Sequence, residues 1–159
     1  EERGEIVCGL IFDPIKNEIF FAEKGSGAFF NNSRIRVTKK KTLKSSILVT
    51  GGPKFNSPRR NNIFQEYIKV SNLTEANIRK FGSAALNLSY VAAGRFDAYW
   101  EWELKLWDIA AGVIILKEAG GYIELMEPGT STSFKRNVIA TNSCIHEELK
   151  GVLIKKNIE

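Results

Sequence analysis

The carboxylates of this chain are the side chains best suited to hydrolytic chemistry, and Asp108 has the most suggestive surroundings. It lies at the start of an apolar stretch, residues 107–121, whose first turn contains the small residues Ala110, Ala111 and Gly112. Small side chains let other backbone or a ligand come close, and a carboxylate beside a helix N-terminus could hold a cation or a metal-bound phosphate. The simpler interpretation, a helix N-cap and nothing more, is favoured on spacing alone.

The stretch 107–121 itself predicts one helix with both of its ends marked. Asp108 is expected to be the N-cap, because its carboxylate can accept hydrogen bonds from the first free backbone N–H groups. Gly120 and Gly121 should end the helix, where a left-handed residue is cheapest without a Cβ atom. Aliphatic side chains occupy so many positions between these ends that little polar face remains. A helix of this kind is buried on most sides, and the rest of the chain is expected to pack around it.

Other catalytic arrangements are poorly supported by the composition. The 159 residues contain a single histidine, His146, beside two glutamates in what is expected to be an exposed terminal helix. Triads that use histidine as the base are therefore not expected. Cys8 and Cys144 have no partners at a metal-binding spacing and are expected to be free thiols of a cytoplasmic protein. No apolar stretch reaches the length of a membrane span, and the first residues do not resemble a signal peptide.

The net charge of +5 would suit a polyanionic partner. The densest basic run is formed by Lys39, Lys40, Lys41 and Lys44, and no aromatic residue lies within it. The stacking surface of a single-strand binder is therefore absent from this run. We expect an exposed, mobile loop that takes no part in catalysis, so nucleic-acid binding stays possible without being favoured.

The remaining pattern divides the chain into an antiparallel part and a part in which strands and helices alternate. Turn residues separate short apolar runs at the beginning, which predicts a meander with strands at 5–12, 19–23, 28–30 and 34–37. Later residues predict strands at 47–50, 77–81, 97–103, 122–125 and 138–141, and helices at 63–68, 83–93, 107–121 and from about 143 to 156. The fold class is therefore α/β, an α+β layered sandwich whose two domains are residues 1–45 and 46–159.

Two of these later elements carry polar residues at positions where a ligand could bind. Ser83 is a natural N-cap for the helix at 83–93, and Gly94 is its stop. The strand at 97–103 alternates, so that Trp100 and Trp102 share one face and Glu101 lies on the other. Such an acidic face is solvated in most proteins, although a carboxylate also accepts hydrogen bonds from substrate hydroxyls well.

Three motifs together resemble the inositol monophosphatase family of Mg²⁺-dependent sugar and inositol phosphomonoesterases. They are Gly-Ser-Ala-Ala at 82–85, Ala-Ala-Gly-Arg-Phe-Asp-Ala-Tyr at 92–99 and Trp-Asp-Ile-Ala-Ala-Gly at 107–112. The resemblance implies that Asp108 is a metal ligand for Mg²⁺ and a catalytic residue that orients the attacking water. It also implies that the substrate is bound by Gly82, Ser83, Ala84, Glu101 and Asp108.

The family's other signature, Asp-Pro-Ile-Asp-Gly-Thr, has no counterpart here. Asp13-Pro14-Ile15 is followed by Lys16 and Asn17, so Asp13 is interpreted as a turn residue. The resemblance places that signature and an early glutamate ligand before the first residue of the chain. Only Asp108 among the family's metal ligands is then present, and the isolated chain is expected to be inactive. Whether the chain is an enzyme by itself is left open.

The function that the resemblance implies is Mg²⁺-dependent hydrolysis of inositol or sugar phosphomonoesters, with the chain forming the C-terminal portion of the sugar-phosphatase fold. Lys105 occupies a position that could shape substrate choice. The alternative is a non-catalytic remnant that acts as a protein- or RNA-interaction module. The phenylalanines of the meander (Phe12, Phe20, Phe21, Phe29 and Phe30) are expected to leave an apolar face that associates with a second copy, giving a homo-oligomer such as a dimer.

Overall fold

The computed structural model describes residues 2–52, 60–126 and 135–154, and these form two sheets and four helices. The first sheet contains β1 (Cys8–Asp13), β2 (Glu18–Glu23), β3 (Gly27–Phe30) and β4 (Ser33–Ile35). The second contains β5 (Ile47–Thr50), β6 (Asn77–Lys80), β7 (Ala98–Lys105), β8 (Tyr122–Met126) and β9 (Lys135–Thr141). The helices are α1 (Arg60–Thr74), α2 (Ala84–Ala92), α3 (Leu106–Glu118) and α4 (His146–Ile154). The predicted end of the last helix, near residue 156, lies outside the described residues.

The first sheet is the antiparallel meander that the turn residues predict, with strands in the order β1-β2-β3-β4. Strand alternation places Phe20, Ala22 and Ala28 on a buried face. The opposite face leaves Leu10 and Phe12 about half exposed. The first strand begins at Cys8 and not at residue 5, because the chain before it closes a separate turn through an isolated bridge between Glu2 and Glu5.

The second sheet is mixed, with the strand order β6-β5-β7-β9-β8. Its first three strands in that order are parallel, and β9 joins β7 and β8 by antiparallel pairing. This arrangement is the α/β layer that the alternation of strands and helices predicts. The domain boundary predicted after residue 45 falls in the connection between Ile35 and Ile47, and the division into two domains stays a prediction.

Helices α2 and α3 lie between the two sheets, and α1 and α4 cover the far side of the second sheet. One apolar core joins Phe20 of the meander and Val113 of α3 to Tyr99 of the second sheet. A second core joins Trp100 on the other face of β7 to Ile63 of α1 and Leu149 of α4. The two sheets therefore share one core through the helices between them. Among the described residues, none of the helices is long and apolar enough to cross a membrane.

Helix α3 is buried on most sides, as its aliphatic content predicts, but it begins earlier than expected. Asp108 is the third helical residue and not the N-cap, and its Oδ2 accepts a hydrogen bond of 3.2 Å from the backbone N–H of Lys105. The aspartate therefore still satisfies a free N–H group at the helix start, from one turn further in. At the other end, Gly120 has a φ of +86°, and Gly121 donates to the carbonyl of Leu116, which closes the helix as predicted.

Small residues in the second turn of α3 and in β1 allow close packing between elements. A Cβ atom at Gly9 of β1 would lie 2.7 Å from the carbonyl oxygen of Ala111. A Cβ atom at Gly112 would lie 2.6 Å from the side chain of Leu88 in α2. Both distances are shorter than real contacts allow, so glycine is what lets β1 and α2 approach α3 so closely.

Two predictions for the outer helices are wrong in detail. His146 is buried and not exposed: its Nε2 lies 3.1 Å from Glu124, its Nδ1 lies 3.3 Å from Thr141, and its ring packs edge-on against Tyr122. Helix α1 is longer than the predicted 63–68, and it buries Ile63 and Val70. The tryptophan N–H of Trp102 donates to Glu66 of α1, which fixes the helix on the sheet by a polar contact that apolar spacing does not reveal.

Asp97 connects the segment after the meander to the second sheet. Its buried carboxylate accepts a hydrogen bond of 2.6 Å from Thr38 and another of 2.9 Å from the backbone N–H of Ile47. Lys40 lies 3.8 Å from the same carboxylate, and it also donates to the carbonyl of Ser45. The basic run is therefore anchored at Lys40, whereas Lys41 and the other lysines of the run are exposed.

We expect Asp97→Ala to lower the free energy of unfolding by about 3 kcal/mol, because the donors of Thr38 and Ile47 lose a buried, charged acceptor. Urea denaturation measures this loss. Asp97→Asn keeps acceptor oxygen at the same place and should cost clearly less. A loss below about 1 kcal/mol for the alanine variant would contradict the role given to this carboxylate.

Candidate active site

A cavity of about 440 Å³ opens where α2, α3 and β7 meet. It brings together all five residues that the sequence predicts for a substrate and metal site. Its lining consists of Gly82, Ser83, Ala84, Ala85, Glu101, Leu104, Trp107 and Asp108. Three of these, Ala85, Leu104 and Trp107, were missed as site residues by the sequence analysis, although each lies within three residues of one that was predicted.

The N-termini of two helices face this cavity. Ser83 caps α2 as predicted, since its hydroxyl accepts a hydrogen bond of 3.3 Å from the backbone N–H of Leu86. Ala84 and Ala85 are the first residues of that helix, and Trp107 and Asp108 belong to the first turn of α3. The first backbone N–H groups of a helix have no partner within it, and the helix dipole is positive at this end. Two such ends on one cavity favour an anionic ligand such as a phosphate.

Asp108 is exposed at the edge of the cavity. Its Oδ2 atom is directed back toward the N–H of Lys105, so the carboxylate is held beside the opening by the start of its own helix. Lys105 extends over the ring of Trp107, with its Nζ atom 4.8 Å from the ring centroid. The opening thus has an acidic group and a cation–aromatic pair beside each other.

Glu101 is only partly exposed and lies deeper in the site. Its Oε2 accepts a hydrogen bond of 2.6 Å from the hydroxyl of Tyr99, two residues earlier on the same strand. The backbone of Gly51, just after β5, passes so close that a Cβ atom there would lie 1.9 Å from Oε2. Glu101 and Tyr99 lie on one face of β7 and Trp100 on the other, as the alternation predicts. The alternation ends at a bulge after Glu101, which turns Leu104 toward the cavity.

Gly82, unlike Gly9 and Gly112, is not closely packed against other elements. A Cβ atom at Gly82 would meet nothing within 4 Å, so the packing of the described residues does not require glycine there. The position is exposed and lines the cavity beside the cap of α2. Open space at this position is compatible with a ligand that lies against the backbone.

The carboxylate oxygens that line the cavity are ligands of the kind that Mg²⁺ prefers. Within the described residues they are too few for a complete metal site. Carboxylate oxygens are hard ligands, and Asp108 and Glu101 supply them. Within residues 2–52, 60–126 and 135–154, no group of three or more His, Cys, Asp or Glu side chains could hold a metal ion. The described part of the chain therefore offers two carboxylates at this cavity, of which Asp108 is the more accessible.

Other candidate residues lie elsewhere. Asp13 ends β1 and accepts hydrogen bonds from the backbone of Ile15 at 3.0 Å and of Lys16 at 3.3 Å, which is the turn that the sequence predicts. His146 belongs to a structural network in which Glu124 also accepts from Lys150 at 2.9 Å. The hydrogen bond from Lys150, and then the one with His146, lowers the pKa of Glu124, although partial burial opposes this shift. None of these residues lines the cavity.

Comparison with known proteins identifies one family over nearly the whole chain. The model of the inositol monophosphatase family matches residues 1–157. The inositol-1-monophosphatase of Rhizobium meliloti is 39% identical over 153 residues, which cover 96% of this chain and 57% of that protein. The Nus factor SuhB of Haemophilus influenzae is 42% identical over 151 residues, which cover 94% of this chain and 55% of that protein.

Solved structures agree with the sequence comparison. The extragenic suppressor protein suhB from Bartonella henselae superposes with a TM-score of 0.87 at 43% identity, covering 98% of this chain and 59% of that one. The α/β fold class predicted from the sequence is thereby confirmed. The chain spans less than two thirds of the length of each of these three proteins.

Proposed function

The chain belongs to the inositol monophosphatase family, and from this premise we propose that the protein containing it hydrolyses phosphate monoesters of inositol or a sugar with the help of Mg²⁺. The observation that carries the proposal is the cavity in which Asp108 and Glu101 meet two helix N-termini. An anionic phosphate is favoured by the helix ends, and a polyol is favoured by the carboxylate of Glu101. The R. meliloti relative, named inositol-1-monophosphatase, supports the same substrate class.

In this proposal some residues of the chain act on the phosphate group and its metal, and others bind the ring of the substrate. Asp108 contributes one ligand to the metal, which would polarise the ester and lower the pKa of a bound water. Ser83 and Ala84 supply backbone N–H groups of the first turn of α2 near the substrate. Gly82 leaves room for the ring, and Glu101 accepts a hydrogen bond from one of its hydroxyl groups. Lys105 beside Trp107 could distinguish substrates by charge at the opening.

The proposal is tested by measuring phosphate release from inositol 1-phosphate and from a sugar monophosphate, with the protein as its gene encodes it and with Mg²⁺ present or chelated. Release that requires Mg²⁺ and is lost in Glu101→Gln supports the assignment. A Glu124→Gln variant is the matched control, because Glu124 lies outside the cavity. No release from either substrate would contradict the proposal.

A second candidate function has two observations in its favour. Lys39, Lys41 and Lys44 are exposed, and one close relative carries the name Nus factor SuhB. A protein- or RNA-interaction module would use this basic surface. Binding of a generic RNA that weakens steeply with salt, and that is lost when Lys39 and Lys41 are both changed to Glu, would support it over the phosphatase proposal. Binding that is unchanged in the double variant would rule out this surface.

We further expect the 159-residue chain to self-associate through the outer face of the meander. Leu10, Ile19, Phe21 and Phe29 line an open apolar hollow on that face, where Leu10 is 59% exposed. Apolar patches of this kind seldom stay uncovered on monomers. Phe21→Asp should weaken association at least about tenfold in sedimentation experiments, because it places a charge at the centre of the patch.

The control for this prediction is Phe64→Asp, which changes a phenylalanine on α1, at the far side of the second sheet, that is more exposed than Phe21. It should leave the association unchanged. A wild-type chain that sediments as a monomer at all accessible concentrations would show that the meander face is not an interface between copies.

A further inference from the structure

A buried tyrosine supports the deeper carboxylate of the cavity. Tyr99 is fully buried, and its hydroxyl donates the 2.6 Å hydrogen bond to Oε2 of Glu101. Residues two apart on a strand share a face, so the tyrosine reaches the carboxylate along β7. Burial, followed by the charge of Glu101 and the hydrogen bond to it, raises the pKa of Tyr99 well above its usual value. The phenol is therefore protonated at neutral pH and acts as a hydrogen-bond donor.

Two further groups lie close to the same pair. Asn87 of α2 is fully buried and lies close enough to Tyr99 to oppose the rise of the tyrosine pKa. Neither atom of its amide group reaches full hydrogen-bond geometry within the described part of the chain. On the other side, the backbone of Gly51 leaves no space for a Cβ atom beside the carboxylate of Glu101. The carboxylate is thus confined by a donor on its own strand and by the backbone at the end of β5.

We propose that Tyr99 is a positioning residue that holds Glu101 in one orientation, so that the cavity selects polyol phosphates by the place of a single ring hydroxyl. This inference rests on the proposed function and deepens it. A carboxylate that rotates freely accepts a hydrogen bond from hydroxyl groups in several places. A carboxylate fixed at one oxygen offers its acceptor in one direction, and a site built for one hydroxyl rejects the analogue that lacks it.

Tyr99→Phe removes only the hydroxyl group and is the variant that tests the inference. With the protein as its gene encodes it, we expect KM for inositol 1-phosphate to rise about tenfold while kcat stays within about twofold, because the lost restraint acts on binding of the ring. A series of monodeoxy inositol phosphates gives the sharper measurement. The wild type should lose most on removal of one particular hydroxyl, and Tyr99→Phe should flatten that difference at least about fivefold.

Tyr90→Phe is the matched control. Tyr90 is also buried, and its hydroxyl accepts a hydrogen bond of 2.8 Å from Lys16, away from the cavity. It should keep the wild-type KM and the wild-type deoxy profile, even if it unfolds more easily. Gly51→Ala provides a second route to the same effect, since its Cβ atom must displace the carboxylate of Glu101. It should flatten the deoxy profile without removing the tyrosine hydroxyl.

The possible outcomes separate the inference from the function on which it rests. If the wild type hydrolyses the substrate and Tyr99→Phe and Gly51→Ala both keep its KM and deoxy profile, the positioning role is wrong and the proposed function stands. A fall in kcat with KM and profile unchanged would also overturn the role. If the wild type releases no phosphate, the proposed function fails and the inference fails with it.

Discussion

Asp108→Asn is expected to lower the Mg²⁺ affinity of the protein, as its gene encodes it, at least about tenfold, while the fold stays intact. The amide keeps a similar shape and an oxygen atom but loses the negative charge that attracts a divalent cation. Its oxygen can still accept the hydrogen bond that Asp108 now receives from the N–H of Lys105 at 3.2 Å. The helix start loses a favourable charge, which costs up to about 1 kcal/mol of stability. Titration calorimetry with Mg²⁺ or Mn²⁺ and urea denaturation measure the two effects separately.

The control for this experiment is Asp13→Asn. Asp13 is also a carboxylate that accepts hydrogen bonds from the backbone, at Ile15 and Lys16, but it lies in the meander and not in the cavity. Its amide variant should bind Mg²⁺ as the wild type does. Equal metal affinity for Asp108→Asn and the wild type would show that Asp108 is only part of the helix start, which is the simpler interpretation of its position.

Much of the fold could be predicted because local rules and tertiary packing agree in most elements. The meander follows from short apolar runs between turn residues, and its register then follows from strand alternation. Helix α2 begins at the cap of Ser83 and is followed by Gly94, whose φ is +69°. The end of α3 depends on Gly120 in the same way. These signals are carried by single residues whose conformational preferences hold in any surroundings.

The start of α3 and the burial of His146 could not be predicted, because both depend on partners far away in the sequence. An aspartate can accept a hydrogen bond from a free N–H group at a helix start either as the N-cap or from one turn inside the helix. Only the direction in which the chain leaves β7 decides between these two positions. His146 is followed by two glutamates, a pattern that usually indicates an exposed face. Its burial depends on Glu124 of β8 and Thr141 of β9, which satisfy both ring nitrogens.

The candidate site shows the same division between local and distant information. The family resemblance predicted which residues would gather, and the cavity contains all five of them. The contacts behind Glu101 were not predicted, because Tyr99 looks like an ordinary core residue of an alternating strand. Gly51 lies fifty residues before Glu101 in the sequence, and only parallel pairing of β5 with β7 brings the two together.

The 159-residue polypeptide by itself is expected to release no measurable phosphate from inositol 1-phosphate, even with saturating Mg²⁺. A site with two metal ions needs several oxygen donors around ions about 3.5–4 Å apart. Within its described residues the chain has no group of three side chains that could form such a site, and Asp108 is the one exposed carboxylate of the cavity. Mg²⁺ gives up its hydration shell reluctantly, so one carboxylate should bind it weakly and leave a bound water poorly oriented.

Complementation distinguishes a chain that is inactive because its metal site is incomplete from a sample that is inactive because it is poorly folded. The chain is mixed with the part of the R. meliloti relative that lies outside the matched 153 residues, to which the family resemblance assigns the remaining ligands. Phosphate release should appear in the mixture, and the same mixture with Asp108→Asn should lose at least about 90% of it, because the chain then lacks its one exposed carboxylate at the cavity. Robust release by the chain alone would overturn the expectation. Carboxylates assigned to the meander, such as Asp13 or Glu23, would then have to take part in a site that the present cavity does not contain.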